Sequence, residues 1–165
     1  MTYPIKQLQA SYNPVEDRIL LTVERQNQQT YLGWLTRRFL TILLPVLHGQ
    51  HPITGEGLFD CKPPKNKGPK IHQSKTVLKK NNNSHHPVYP LGDSPLLCSK
   101  ISFTSLKTEQ AMFHLLPDSN QGIELPFTPI LLNFFLKAIK EPLEQSNWAL
   151  EVNGIYGLSS NNRLH

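Results

Sequence analysis

The sequence predicts an α+β protein made of two similar units, each a β-hairpin or β-meander followed by one apolar helix. Three observations favour this fold class. The stretch 30–47 begins like a strand, passes a threonine and becomes a strongly apolar helix. The stretch 122–139 repeats that plan 92 residues later, and a polar turn precedes the return strand in both cases. We therefore expect a pseudo-two-fold duplication, with an antiparallel sheet packed on two apolar helices.

The first unit is predicted to span residues 1–49. Its strands are predicted at Ile5–Tyr12, Asp17–Arg25 and Tyr31–Leu35. Thr36 suits the N-cap of the following helix, because its hydroxyl can accept a hydrogen bond from a first-turn N–H group. Pro45 is expected to kink or end that helix nearby, since proline lacks the N–H that a helix needs.

The second unit is predicted to span residues 95–152 and to follow the same order. Its strands are predicted at Leu96–Leu106, Gln110–Leu116 and Ile123–Phe127. Thr128 followed by Pro129 makes a favourable helix start. We expect the helix to run to about Glu141, where Pro142 interrupts it.

Residues 50–94 differ in kind and are predicted to form a flexible linker rich in Lys, Asn and Pro. Seven lysines and no acidic residue occur from Lys62 to Lys80. Few large apolar side chains are available there to offset the entropy of ordering. The run could attract phosphates, but a solvated linker is the preferred interpretation because no aromatic or arginine side chains are interleaved. Residues 153–165 are expected to be a frayed tail.

The two units align in register at an offset of 92 residues. Leu35 aligns with Phe127, and Thr36 aligns with Thr128. Each unit alone has too few strands to bury its helix, because a two- or three-stranded ribbon is only marginally stable in water. Stacking the two units would bury both helices.

The charge distribution argues against a folded body that binds nucleic acid through a high net charge. The net charge is +5, and residues 51–100 hold eight basic and three acidic side chains. Two cysteines, Cys61 and Cys98, are too few for a disulfide framework and match no zinc pattern. The N-terminus lacks the apolar core of a signal peptide, and the longest apolar runs fall short of the roughly 20 residues of a membrane span. We therefore predict a cytoplasmic protein that does not enter membranes.

Trp34, Arg37 and Arg38 form the candidate binding site. Two arginines at a helix N-terminus are unfavourable for the helix dipole. Beside free helix N–H groups they could bind a phosphate or a carboxylate, or contact a partner protein. Pro129 and Ile130 occupy the corresponding positions of the second unit. The structural alternatives are a contact at the rim of a dimer or an ion pair with an acid of the first unit: Glu16, Asp17 or Glu24.

No catalytic, cofactor-binding or metal site is predicted. Ser, His and Asp are present, but no nucleophile elbow or paired-carboxylate pattern occurs. The spacing of the histidines and cysteines supports no metal site. Trp148 and Tyr31 are interpreted as core or interface aromatic residues. An enzyme whose site the sequence hides is a weaker alternative.

Four segments carry a family resemblance: VEDRILLTVE, LGWLTRRFLTILLPVL, PLGDSPLL and QGIELPFTPILLNFFLKAI. Together with the closing SNWAL they resemble a family of uncharacterised proteobacterial proteins with the pattern EDRxLL, WLTRR, QG(I/V)EL and WxL. The resemblance covers both units, about two thirds of the chain. It implies no established activity and no cofactor.

These features predict a non-enzymatic binding or adaptor protein that acts through protein–protein contacts or self-association, at apolar surface near the helices. The alternative is a single-stranded nucleic-acid binder that uses the sheet together with Arg37 and Arg38. A duplicated sheet-then-helix unit is similar in topology to the Whirly and PC4-like single-stranded nucleic-acid binders. Such an analogy of fold does not by itself imply function.

Overall fold

The computed structural model describes residues 3–58, 86–119 and 121–150, and it confirms the α+β class. Two sheets and two helices occur within these ranges. In chain order the elements are β1 (Ile5–Asn13), β2 (Arg18–Arg25), β3 (Thr30–Leu35), α1 (Arg37–Leu47), β4 (Leu96–Leu97), β5 (Lys100–Thr104), β6 (Met112–Leu116), β7 (Ile123–Pro126) and α2 (Pro129–Ser146).

The first sheet has the strand order β1-β2-β3-β4, so β1 and β4 form its edges. The first three strands pair antiparallel, and β4 joins β3 in parallel. Alternate residues of β2 share a face, which places Ile19, Leu21 and Val23 in the core without exposure to solvent. Leu20 and Thr22, on the opposite outer face, are half-buried.

The second sheet is the antiparallel meander β5-β6-β7. Phe113 and Leu115 of β6 and Leu125 of β7 are fully buried. Phe127, just beyond β7, meets Phe113 edge-to-face with 5.8 Å between the ring centroids, a favourable aromatic geometry. These side chains belong to one hydrophobic cluster that also contains the buried residues of the first sheet.

The strand predicted at 96–106 is divided between the two sheets, and the division falls at Cys98 and Ser99. The Cys98 N–H donates to the carbonyl of Trp34 at 3.1 Å, in the first sheet. The Ser99 N–H donates to the carbonyl of Leu116 at 2.8 Å, in the second sheet. Because consecutive residues bond to different sheets, the chain crosses between them here. No glycine or proline marks the crossing in the sequence, which is why one continuous strand was predicted.

Both helices begin at the predicted threonine caps. The Thr36 side-chain oxygen accepts from the Phe39 N–H at 3.2 Å. The Thr128 side-chain oxygen accepts from the Leu131 N–H at 3.3 Å. Each hydroxyl therefore satisfies one of the backbone donors that a helix start leaves without an intrahelical partner.

The two helix prolines behave differently from each other. α1 ends at Leu47, two residues past Pro45 and near the predicted position. In contrast, α2 continues through Pro142 to Ser146, beyond the predicted end. A proline inside a helix costs about 3 kcal/mol. The cost is offset here because Pro142 and the following turn are buried against the core.

α2 connects the second unit to the first. It lies along β1, the edge strand of the first sheet, and also approaches α1. Near its start, Phe134 lies beside Ile5–Leu8. Just beyond its end, Trp148 contacts Tyr12. The helix therefore runs parallel to β1, and its ends reach the two ends of that strand.

The predicted linker 50–94 is described at its two ends, and both ends are hydrogen-bonded to the body. The Leu58 N–H donates to the Gly49 carbonyl at 2.7 Å. The Val88 N–H donates to the Gln28 carbonyl at 3.0 Å, next to the start of β3. The predicted boundaries of the units and of the linker stay predictions.

The lysine run and the predicted tail lie outside the residues that the structure describes. The lysine run falls within 59–85, and the tail, 153–165, falls within the final stretch 151–165. Among the helices seen here, none has both the length and the apolar character required to cross a membrane.

Candidate functional site

Trp34, Arg37 and Arg38 lie at the junction of β3 and α1. Trp34 is half-buried, whereas Arg37 and Arg38 are exposed as the first two residues of α1. The first turn of the helix contains no acidic residue. Within the described ranges, neither arginine forms an ion pair at 4.0 Å or less. Both guanidinium groups are therefore accessible to a ligand.

A third arginine joins this group through the register of β2 and β3. Leu20 pairs with Trp34, so Arg18 lies diagonally beside the indole on the same outer face. The guanidinium carbon of Arg18 is 4.5 Å from the centroid of the Trp34 ring, which is within cation–π range. Sequence reasoning missed Arg18 because its stacking depends on a strand register that the residue pattern alone does not fix. We name four residues the arginine cluster: Arg18, Trp34, Arg37 and Arg38.

The three acids considered as ion-pair partners for the helix arginines hold other partners. Glu16 binds Arg18 with 3.0 Å between Oε1 and Nη2. Glu24 binds Lys6 with 2.7 Å between Oε1 and Nζ. Asp17 accepts hydrogen bonds from neutral side chains. The positive charge at the start of α1 is thus left largely uncompensated by direct contacts.

Asp17 joins the β1–β2 turn to the end of α2. Its Oδ1 accepts from the Tyr12 hydroxyl at 2.6 Å and from the Trp148 indole N–H at 2.8 Å. The hydrogen bond from Tyr12, then that from Trp148 and the charge of Arg37, hold the pKa of Asp17 below its ordinary value of 3.8, against an opposing effect of burial. The bond to Asp17 also raises the pKa of Tyr12. This junction fixes the turn that stands beside the arginine cluster.

Protonation of Asp17 is expected to loosen the end of α2. Because the folded pKa of Asp17 is lowered, its contribution to stability is complete above the ordinary value of 3.8 and is lost as the pH falls through the folded pKa. We expect the indole N–H resonance of Trp148 in NMR spectra to shift as the pH falls below 3.8, with Trp34 as internal reference. The Asp17→Asn variant should show no such titration. Identical titrations of Trp148 in both proteins would contradict this assignment.

A second candidate surface is an apolar groove between β1 and the start of α2, which we call the α2 groove. It encloses about 410 Å³. Ile130 and Phe134 stand at the groove and are 63% and 60% exposed. Residues 129–136 carry no charged side chain. Its lining residues are Pro4, Ile5, Lys6, Gln7, Leu8, Pro126, Thr128, Ile130, Leu131 and Phe134.

The sequence predicts an apolar helix at 129–141 but not which of its faces stays uncovered. Leu132 and Phe135 are fully buried, while Ile130 and Phe134 in the same two turns are exposed. All four residues are equally apolar in the sequence, so their pattern does not separate core from surface. The separation follows from the position of α2 along β1, which is a long-range contact.

Cys98 is not poised for chemistry. The side chain is buried, and burial raises its pKa to about 12. The thiol therefore stays protonated at neutral pH and is neither an activated nucleophile nor a ready metal ligand. Nowhere in the part of the chain that the structure describes do three or more His, Cys, Asp or Glu side chains converge to hold a metal ion. Cys61 lies outside that part.

Comparison with known proteins yields no match to a protein-family model, to a curated protein or to a solved structure. The α2 groove and the arginine cluster therefore carry the functional inference.

Proposed function

We propose that this chain is a cytoplasmic, non-enzymatic binding or adaptor protein that acts through protein–protein contacts or self-association, with the α2 groove as its docking surface. The observation that carries the proposal is the exposure of Ile130 and Phe134 beside an apolar hollow. Contiguous exposed apolar surface on a soluble protein marks interaction sites, whereas single exposed apolar residues are ordinary. The α2 groove is a contiguous exposed apolar surface.

Burial of Phe134 by a partner would supply a useful share of the binding free energy. An aromatic side chain buries roughly 150–250 Å², so a Phe that is 60% exposed leaves roughly 120 Å² to cover. At ~25 cal/mol per Å² this area corresponds to about 3 kcal/mol. One cation, Lys6, lines the groove, and it binds Glu24. Aromatic anchors without competing charges are typical binding hot spots.

Cross-linking in cells that produce the full chain tests this proposal. Phe134→Glu places a charge in the groove and should abolish the cross-linked products that the wild-type chain forms, whether the partner is another protein or a second copy. Val15→Glu is the matched control, because Val15 is 91% exposed at the β1–β2 turn, at the opposite end of β1. Mass spectrometry identifies the products. Products that persist in Phe134→Glu would count against the groove as the docking surface.

The arginine cluster favours a second candidate function, the binding of single-stranded nucleic acid. Arg18 lies over the Trp34 ring on the outer face of the first sheet, and Arg37 and Arg38 begin α1 three and four residues after Trp34. Cationic side chains bind phosphates, and aromatic rings stack on bases in proteins that bind single strands. The guanidinium carbon of Arg18 lies over the indole ring at 4.5 Å from its centroid. These features fit a strand that crosses the start of α1.

Fluorescence anisotropy with a labelled single-stranded DNA tests the second candidate. Each phosphate contact to a single strand contributes about 0.7 to the salt slope, so the double variant Arg37→Ala/Arg38→Ala should reduce the slope by about 1.4. Lys100→Ala/Lys107→Ala removes the same charge from β5 and the loop that follows it, and should leave the slope unchanged. If both double variants lose the same amount of salt slope, any binding depends on net charge alone. A wild-type chain that does not bind would eliminate this function.

The internal duplication, with both helices packed on the sheets, and the relation to the proteobacterial family are also proposals. Support for the duplication comes from the shared order of three antiparallel strands and a helix, and from the equivalent caps Thr36 and Thr128. An experimental structure tests it. Superposition of β1–β3 with α1 on β5–β7 with α2, in one strand order, would support a duplication. A helix placed on the opposite face in one unit would argue against it.

A further inference from the structure

We propose that a pocket beside Arg25 binds a small organic carboxylate. This pocket, which we call the Arg25 pocket, encloses about 320 Å³ where β2 and β3 of the first sheet meet β7 of the second. Arg25, Tyr31 and Glu124 line it from these three strands. It shares no lining residue with the α2 groove, so the inference is independent of the docking function proposed above.

Arg25 is a buried cation without a counter-ion among the described residues. It is 3% exposed, and no carboxylate of residues 3–58, 86–119 or 121–150 lies within 4.0 Å of its guanidinium group. Its Nη1 and Nη2 donate to the carbonyl groups of Tyr3 and Glu124, two residues that line the pocket. Carbonyl groups satisfy hydrogen bonds but do not neutralise a charge, and a buried charge is stable chiefly when it is paired. An anion in the pocket would supply the missing partner.

The guanidinium group also keeps donors for such an anion. An arginine has five N–H donors, and the carbonyl bonds of Arg25 use two of them. Its Nε has no protein partner in the described part of the chain and is not cut off from solvent. Hydrogen bonds from a guanidinium group to a carboxylate are roughly twice as strong as those between neutral groups. A carboxylate oxygen at this nitrogen would therefore gain both charge pairing and a strong hydrogen bond.

The other lining residues favour a carboxylate with an apolar body. The Tyr31 ring centroid is 5.4 Å from the guanidinium carbon of Arg25, and Pro90 and Leu91 add apolar wall. A volume of about 320 Å³ is at the lower end of the range for pockets that hold small molecules. One cation supports one negative charge. Glu124 brings a negative charge to the lining, which disfavours a phosphate dianion more than a carboxylate monoanion.

An NMR titration of the full chain tests the proposal, with benzoate as the probe. Benzoate should shift two resonances saturably: the Arg25 Nε–H and the backbone amide of Gly122, which also lines the pocket. Benzamide has the same shape without the charge, and inorganic phosphate has charge without the apolar body. At the same concentrations neither should produce these shifts.

Gln29→Glu is the variant that tests the site without disturbing the fold. Gln29 lines the pocket, and its Oε1 accepts from the Tyr31 hydroxyl at 3.2 Å, a bond that a carboxylate oxygen can also accept. The added negative charge should raise the dissociation constant of benzoate by roughly tenfold or more. Gln110→Glu is the matched control, because it adds the same charge at an exposed position just before β6. It should bind benzoate like the wild type.

Arg25→Met should abolish the benzoate shifts in its folded fraction, because the cation is removed. Four outcomes would overturn the proposal. One is a wild-type chain whose two resonances do not respond to benzoate. Another is benzamide that binds as tightly as benzoate, which would make the pocket a site for apolar rings. A third is phosphate that binds more tightly than benzoate. The last is equal binding of benzoate by Gln29→Glu and Gln110→Glu, which would place the site elsewhere.

Discussion

Replacement of Arg25 by methionine is expected to lower the free energy of unfolding by about 3 kcal/mol. Arg25 is 3% exposed. Its Nη1 donates to the Tyr3 carbonyl at 2.7 Å, its Nη2 donates to the Glu124 carbonyl, and its guanidinium carbon is 5.4 Å from the Tyr31 ring centroid. Each hydrogen bond from a charged donor contributes about 1.5–3 kcal/mol. Methionine preserves the apolar stem but leaves both carbonyl groups without this donor.

Urea denaturation of the wild-type and variant proteins measures this effect. Arg18→Met is the matched control, because Arg18 also stacks on an aromatic ring but at a partly exposed site. Its cost should stay below about 1 kcal/mol. Arg25→Lys should recover part of the loss, since a lysine keeps the charge but not the planar fork that reaches two acceptors. Equal costs for Arg25→Met and Arg18→Met would show that Arg25 does not link the two sheets.

The burial of Arg25 could be inferred from the sequence in part. In the strand predicted at 17–25, Ile19, Leu21 and Val23 occupy every second position, and the same period places Arg25 on their face of the strand. The acceptors could not be inferred. They are main-chain carbonyls of residues 3 and 124, and any residue type can supply a carbonyl. A period of two fixes the direction of a side chain but carries no information about what it meets.

Local features were therefore predictable, and long-range ones were not. The caps at Thr36 and Thr128 depend on residues three positions away, so the sequence predicts them correctly. The hydrogen bond between Asp17 and Trp148 joins residues 131 positions apart. Sequence reasoning placed Trp148 in the core or an interface. Its exposure of 4% is consistent with that placement. It did not identify Asp17 as the acceptor.

The candidate sites divide in the same way. Trp34, Arg37 and Arg38 are neighbours in the sequence, so their proximity follows from one strand-to-helix junction. Arg18 joins them through strand register. The α2 groove needs residues that are far apart in the sequence, with Ile5 on one wall and Phe134 on the other. A surface of that kind becomes visible when the packing of α2 along β1 is known.

Replacement of Gly122 by alanine is also expected to lower the free energy of unfolding by about 3 kcal/mol, at the upper end of the usual cost of overpacking. A Cβ at this position would lie 2.1 Å from the carbonyl oxygen of Leu115 and 2.7 Å from Cδ2 of Leu116. The Leu116 side chain can turn away. The Leu115 carbonyl cannot, because Leu115 pairs with Ile123 in the ladder between β6 and β7. Alanine must therefore push the two strands apart at the end of their pairing.

Gly33→Ala is the matched control for this variant. A Cβ at Gly33 would lie 3.1 Å from both Sγ of Cys98 and Cδ1 of Ile123, which are side-chain ends that can shift by a few tenths of an ångström. Its overpacking cost should be nearer 1 kcal/mol, and the lower entropy of the unfolded chain returns about 0.4–1 kcal/mol. Urea denaturation of both variants compares a rigid neighbour with movable ones. A Gly122→Ala protein as stable as Gly33→Ala would mean that β7 can shift away from the Leu115 carbonyl at little cost.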